Sequence, residues 1–185
     1  MTERIAGGAD PKARMTGAVY LLYFLTAIAG ALMGRHLFVY GKAITVLSMV
    51  LYAVLAVLLY YLFRPVNRSL SMFAAFLSLA GCVVATLGLF QISSRYVNPL
   101  LFFGIYCLLI GYLILRSTFL PRILGVLMAL AGVGWLIFLF PSLPMPLSMG
   151  IEGLGILAEA LLMLWLLVKG VNVQRWQELN SSVPS

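Results

Sequence analysis

The feature that most constrains this chain is a series of long intervals without a charged residue. MTGAVYLLYFLTAIAGALMG separates Arg14 from Arg35, and AITVLSMVLYAVLAVLLYYLF separates Lys42 from Arg64. A helix needs about 20 apolar residues to cross a hydrocarbon core roughly 30 Å thick. Each interval therefore predicts a transmembrane helix, since runs of this length lack the alternation expected of barrel strands.

Four further apolar intervals follow, the last of which contains Glu152 and Glu159. Together the six predict an all-α fold, a polytopic membrane bundle of six helices with short loops. We place the spans at about 15–35, 43–63, 69–93, 96–115, 122–140 and 147–168. The transmembrane domain is then 15–168, between an N-terminal tail, 1–14, and a C-terminal tail, 169–185. Pro65 and Pro121 stand where a helix is expected to end or begin.

Composition excludes most other classes of protein. The chain is 63% hydrophobic and 9% charged, whereas a soluble domain is about 45–50% apolar and about 25% charged. A soluble enzyme, a nucleic-acid-binding domain and a disordered chain are therefore excluded. The net charge of +7 comes from basic residues at the ends of apolar runs, not from one soluble basic surface. We expect the lipid bilayer, and no nucleic acid, as a partner.

The basic residues also predict orientation. Nine lie on the side of both termini and of the second and fourth loops, against Arg35, Lys42 and Arg95 on the other side. By the positive-inside rule both termini are cytoplasmic. A cleaved signal peptide ending near Ala27-Ile28-Ala29 is the competing interpretation of the first span, but it would leave the new N-terminus outside. Four arginines in the two loops are predicted as cytoplasmic anchors: Arg64, Arg68, Arg116 and Arg122.

Glu159 is the most informative polar residue. It precedes Lys169 by ten residues, about 15 Å along a helix, which places it near the bilayer centre. An acid there costs at least about 2.5–3.5 kcal/mol, so we expect it inside the bundle. Because no Lys or Arg is predicted at its depth, we expect the neutral, protonated form. Glu159 is then either an ion-, proton- or ligand-binding group or a hydrogen-bonding contact between helices.

Helical geometry suggests neighbours for this acid. Glu152 lies seven residues earlier on the same helical face, near the outer interface, with Gly155 between the two acids. Counting depth from the ends of the other spans places Thr26, Tyr52 and Tyr106 in the layer of Glu159. We therefore predict an intramembrane polar site of Glu159, Glu152, Tyr106, Tyr52 and Thr26.

No catalytic, metal or cofactor motif is recognisable. His36 is the single histidine, and Cys82 and Cys107 lie in apolar runs where thiols act as small packing residues. Gly30 and Gly34 form a GxxxG pattern that permits close helix packing. The sequence therefore predicts no catalytic residue, no metal and no cofactor, and a protein that is not an enzyme.

Four stretches together resemble the domain-of-unknown-function 4386 family of bacterial multi-pass membrane proteins. They are ARMTGAVYLLYFLTAIAG (Ala13–Gly30), LFRPVNRSLSMFAAF (Leu62–Phe76), FFGIYCLLIGYLILRSTFLPRILGVLMALAGVGWL (Phe102–Leu136) and LLVKGVNVQRW (Leu166–Trp176). The chain departs from the family in its shorter segments after the first and third spans, and in Tyr106, where a histidine is common. The resemblance implies the fold and a bacterial inner membrane location, and it implies no particular reaction.

Three classes of function remain. A structural or accessory subunit, which packs against a partner or assembles as a homo-oligomer or larger membrane complex, is favoured by the small size and short loops. A small ion-, proton- or solute-linked transporter or channel is favoured by Glu159 with Glu152. A membrane-embedded enzyme has the least support, because five acids and one histidine offer little for clustered catalytic chemistry. A cavity that reaches Glu159 would favour the second class.

Overall fold

The protein is a bundle of α-helices. The computed structural model describes residues 11–34, 37–92, 98–139 and 144–181, and all regular structure within these ranges is helical. The helices are α1 (Pro11–Met33), α2 (Phe38–Phe63), α3 (Arg68–Leu89), α4 (Pro99–Arg116), α5 (Arg122–Ile137), α6 (Met145–Val168) and α7 (Val173–Ser181).

Five of these helices, α1 to α4 and α6, are long and apolar enough to cross a membrane. The fifth in chain order, α5, is a shorter apolar helix of 16 residues, about 24 Å long at 1.5 Å per residue. The prediction of an all-α membrane bundle is confirmed, with α5 as the short member of six. The last residue of its predicted span, position 140, lies outside the described residues.

Helices α1 to α6 form a closed ring. Each packs against its neighbour in sequence, from α1·α2 through α5·α6, and α1 also packs against α6. Short turns place successive helices antiparallel, so the start of α1, the α2–α3 and α4–α5 turns and the end of α6 share one end of the bundle. We call this the basic end, because most of the chain's Lys and Arg residues lie there.

Glycines set the distances between neighbouring helices. A Cβ on Gly111 of α4 would lie 2.7 Å from the backbone nitrogen of Ala129 and 2.8 Å from the carbonyl oxygen of Gly125, both on α5. Gly30 of α1 is predicted from sequence as a packing residue. A Cβ added to it would lie 2.8 Å from the Oγ1 atom of Thr45 on α2. Small residues let backbones approach in the absence of a hydrophobic driving force between helices. The α4–α5 pair consequently packs backbone against backbone at Gly111 and Gly125.

The outer surface of the ring is apolar and its interior is filled. Large side chains such as Leu22, Val50 and Phe76 are 52%, 54% and 64% exposed, as expected for surfaces that contact lipid tails. Inside the half next to the basic end, large apolar side chains are at most 1% exposed: Leu55, Leu59, Phe63, Leu113, Leu162 and Leu166. We call this set the apolar plug.

The α7 helix docks across the basic end, in a region predicted only as a tail. The indole Nε1 of Trp176 donates a hydrogen bond of 2.9 Å to the carbonyl oxygen of Leu62, near the end of α2. Arg175 donates a 3.0 Å hydrogen bond to the carbonyl oxygen of Thr118 in the α4–α5 turn. Both acceptors are carbonyls at or just after helix ends, which have no partner within their own helix.

We expect Trp176→Phe to loosen α7 without unfolding the bundle. The change keeps the aromatic contact and removes one hydrogen bond, a loss of about 1 kcal/mol. Trypsin should then cleave after Arg175 faster than in the wild type, while the thermal midpoint of the bundle stays nearly constant. Gln174→Ala, at an exposed position of the same helix, is the control and should leave cleavage unchanged. Equal cleavage rates in all three proteins would contradict the docking role of the indole.

Candidate functional site

Glu159 lies in the middle of α6 and points into the ring. Its side chain is 9% exposed, and it shares the inward face of α6 with Gly155, Ala158 and Leu162. A carboxyl group at this position is removed from water and from lipid headgroups alike. The structure therefore places it where its partners must come from the other helices of the ring.

Those partners are tyrosines. The hydroxyl groups of Tyr20 on α1 and Tyr52 on α2 lie within hydrogen-bonding reach of the Glu159 carboxyl group. Tyr23 on α1 and Tyr106 on α4 are close enough to interact electrostatically with the same carboxyl group. The rings also contact one another, with centroids 4.7 Å apart for Tyr23–Tyr52 and 6.0 Å apart for Tyr52–Tyr106. Residues of α1, α2 and α4 thus surround the acid, which belongs to α6.

The structure brings Tyr52 and Tyr106 to Glu159, but Thr26 does not take the predicted place. The Thr26 hydroxyl donates to the carbonyl oxygens of Leu22 and Tyr23 at 2.8 and 2.9 Å, within its own helix. The prediction counted depth from span ends and took no account of the side of α1 that faces inward. A hydroxyl without a polar partner across the interface bonds back to its own helix.

Tyr20 is the site residue that depth counting missed. The inward face of α1 follows the spacing i, i+3, i+4, i+7 through Ala13, Thr16, Gly17 and Tyr20, all of which are buried. Gly17 at the start of this row lets α1 approach α6, since a Cβ there would lie 2.5 Å from the Leu167 nitrogen. A glycine followed three residues later by a tyrosine was the available signal in the sequence.

Glu152 does not join the site. It lies on the same side of α6 as Glu159 in helical projection, yet it is exposed. Gly155, which lies between the two acids, accommodates the Trp135 indole, whose Cζ2 atom would lie 2.5 Å from an added Cβ. Trp135 is half-buried against this glycine.

A cavity of about 180 Å³ reaches the Glu159 carboxyl group. Aromatic rings and apolar side chains form its walls: Tyr23, Met49, Tyr52, Leu100, Phe103 and Trp135. Leu100 is near the start of α4 and Trp135 near the end of α5, so the cavity lies in the half of the bundle away from the basic end. The apolar plug closes the other half, and Glu159 is at the boundary between the two.

No positive charge neutralises the acid in the described part of the chain. Lys and Arg are absent from the cavity lining and from the groups that act on Glu159. The described His, Cys, Asp and Glu residues form no group of three that could hold a metal ion. Cys82 and Cys107 are buried as free thiols, and His36 lies outside the described residues. The site is thus a single acid among hydroxyls and aromatic rings.

The four arginines predicted as anchors lie at the basic end, away from this cavity. Arg64, Arg68, Arg116 and Arg122 are all exposed, at the ends or starts of α2, α3, α4 and α5. Of the residues that the structure describes, eight Lys or Arg lie at this end and only Lys42 at the other. Arg35 and Arg95 lie outside the described residues.

The apolar exterior, the helix lengths and the buried acid define a multi-pass membrane protein. Residues 93–170 match the family model described as domain of unknown function DUF4386. This match confirms the resemblance predicted from sequence and covers α4, α5 and α6, including Glu159 and the FLPRILG turn. The stretches Ala13–Gly30 and Leu62–Phe76, quoted for the same resemblance, precede the matched residues.

A similar protein occurs in an archaeon. The chain is 29% identical to an uncharacterised protein of Archaeoglobus fulgidus over 133 residues, which are 67% of this chain and 80% of that relative. No solved structure matches the chain significantly. The comparisons therefore assign no activity to the site.

Proposed function

We propose that this membrane protein is a small proton-linked transporter of organic cations, with Glu159 as the group that binds the cation. The observation that carries the proposal is the cavity that reaches a buried carboxyl group and is otherwise walled by Tyr23, Tyr52, Phe103, Trp135 and apolar side chains. Ionisable residues inside a membrane bundle most often mark substrate or proton pathways.

The chemistry of the lining favours a cation with an apolar body. The negative faces of aromatic rings attract ammonium and guanidinium groups, and a carboxylate supplies the opposing charge. The cavity, about 180 Å³, is smaller than the roughly 300–1,000 Å³ of pockets for drug-sized ligands. Small alkylammonium ions or guanidinium therefore suit it better than large lipophilic cations.

Proton linkage follows from the absence of a cationic partner. Without a ligand, an isolated buried carboxyl group is favoured in its neutral form. A bound cation makes the ionised form favourable, and the Tyr20 and Tyr52 hydroxyls stand within reach to donate to it. Binding of one cation thus releases one proton, and Glu159 carries either the proton or the cation.

The positions of the cavity and the apolar plug fit a carrier that is closed on one side of the membrane. The cavity occupies the half of the bundle away from the basic end, and the apolar plug fills the other half. Transport requires the plug to open while the outer half closes, as in carriers whose central site is exposed to each side in turn.

The proposal is tested by calorimetric titration of the purified protein with tetramethylammonium, methylammonium and guanidinium. We expect saturable binding that is tighter at pH 8 than at pH 6, because the cation competes with the proton on Glu159. Titration in buffers of different ionisation enthalpy should report the release of about one proton per cation. Binding that is independent of pH, or no binding of any of the three cations, would refute the proposed function.

An accessory subunit is the second candidate, and the outer half of α6 supports it. Gly150 and Gly153 are exposed with open space around the position of an added Cβ, next to the exposed Glu152. A partner helix or a second copy of this chain could approach closely there. Co-purification in mild detergent tests it, since a stoichiometric partner would favour this role over solute transport.

We also propose that the chain is inserted in the inner membrane of the cell with both termini in the cytoplasm. The distribution of Lys and Arg along the described residues supports this orientation. The bilayer is then the constant partner, with no nucleic acid. We further propose that the chain is not an enzyme and takes no cofactor, since among the described residues its polar site holds one carboxyl group with tyrosine hydroxyls, and no histidine or second carboxyl group.

Cysteine labelling tests the orientation. Lys42→Cys, near the start of α2, should react with a membrane-impermeant maleimide in intact cells. Ser69→Cys, exposed at the start of α3, should react only after the cells are opened. Ser69 is chosen because it leaves the neighbouring Asn67, which caps α3, intact. The reverse labelling pattern would overturn the proposed orientation.

A further inference from the structure

A second cavity opens at the basic end, between α1, α2 and α7. It measures about 470 Å³, and each of the residues around it is neutral or basic. Lys12 in the first turn of α1 and Arg64 at the end of α2 supply the charge. Asn180 and Trp176 form the wall contributed by α7, which the Trp176–Leu62 hydrogen bond holds in place. We call this cavity the α7 cleft.

The α7 cleft changes from charged to apolar with depth. Met15 is one turn into α1 from Lys12, and Leu58 is six residues before Arg64, about 9 Å along α2. Both apolar side chains line the same cavity as the two charges. A ligand that fills the cleft would thus place an anionic group at the membrane surface and an apolar chain against the transmembrane part of α1 and α2.

We propose that the α7 cleft binds one anionic phospholipid. Lys12 and Arg64 contact the phosphate and headgroup, Asn180 hydrogen-bonds to the headgroup, and an acyl chain lies along Met15 and Leu58. Basic pockets between transmembrane helices on the cytoplasmic side are suited to acidic lipid headgroups. The combination of charge complementarity with an apolar inner wall favours a lipid over a soluble phosphate. This proposal is independent of the site at Glu159.

The structure supplies a matched control in the same turn. Arg68 is exposed and four residues from Arg64, but it does not line the cleft. General attraction to an anionic membrane would depend on both arginines alike. A specific lipid site depends on Arg64 and Lys12 alone.

The experiment is native mass spectrometry of the full chain released from vesicles of phosphatidylglycerol and phosphatidylcholine in equal amounts. We expect one retained phosphatidylglycerol per chain for the wild type and for Arg68→Gln. The double variant Lys12→Gln with Arg64→Gln should retain it about 25-fold less, since each basic residue near an anionic surface contributes a factor of about five. Trypsin cleavage after Arg175 reports whether α7 remains docked in each variant.

Three results would overturn the proposal. Equal retention of the two lipids by the wild type would exclude recognition of an anionic headgroup. A loss of about fivefold in Arg68→Gln would indicate unspecific charge attraction, because each basic residue would then contribute alike. Protection of α7 from trypsin by inorganic phosphate alone, without lipid retention, would identify a soluble anion as the ligand.

Discussion

Glu159→Gln should abolish the binding of small organic cations and leave the protein folded. Glutamine keeps the size of the side chain and still accepts hydrogen bonds from Tyr20 and Tyr52, the two hydroxyls within reach. It cannot lose a proton, so it provides no negative charge for a cation and nothing to exchange. Calorimetric titration with tetramethylammonium measures the binding, and size-exclusion chromatography with thermal melting measures the fold.

Glu152→Gln is the matched control for this change. It removes the same group from the same helix at an exposed position, and it should leave cation binding unchanged. Glu159→Leu should also abolish binding, but with a lower thermal midpoint, because tyrosine hydroxyls left without an acceptor cost about 1–3 kcal/mol each. Retained binding in Glu159→Gln would separate this acid from any transport role and leave it as a contact between helices.

Gly111→Val should strongly destabilise the folded bundle. The added side chain would meet the backbone nitrogen of Ala129 at 2.7 Å and the carbonyl oxygen of Gly125 at 2.8 Å. Backbone atoms of α5 cannot rotate away as a side chain would, so the two helices must separate. Overpacking of this kind costs about 1–3 kcal/mol or more, and the loss should appear as aggregated protein in detergent and a markedly lower melting temperature.

Gly88→Val is the control, because it makes the same glycine-to-valine change at a position without close neighbours. Gly88 lies near the end of α3 with nothing within 4 Å of an added Cβ, and its position is exposed. Valine there should face lipid and leave both assembly and melting nearly unchanged. If the two variants melted at the same temperature, the close approach of α4 and α5 would not be what holds this side of the ring together.

The sequence determined which segments lie in the membrane and how deep Glu159 lies. Both follow from local quantities, because the cost of placing a residue in hydrocarbon depends on its own polarity and its distance from the helix ends. Even the short helix α5 was identified in this way, from the apolar run after Arg122. The polar residues of α7, in contrast, gave no membrane signal, and its docking was missed.

Only the tertiary structure decided which side of each helix faces inward. Depth counted from the span ends placed Thr26 in the layer of Glu159, yet Tyr20 is the α1 hydroxyl that reaches this acid. Glu152 and Glu159 share a helical face, yet Glu152 is exposed and Glu159 is buried. The cavity at Glu159 and the α7 cleft likewise depend on residues from helices far apart in the chain.

The physical reason is the solvent. In water, the apolar side of a helix is buried and its polar side is exposed, so the sequence pattern fixes its rotation. In lipid, both sides of α1 to α6 are apolar, and burial of hydrophobic surface does not distinguish them. Rotation is then set by close contacts between backbones, such as Gly17 on Leu167 and Gly111 on Ala129, and these contacts exist only once the ring is assembled.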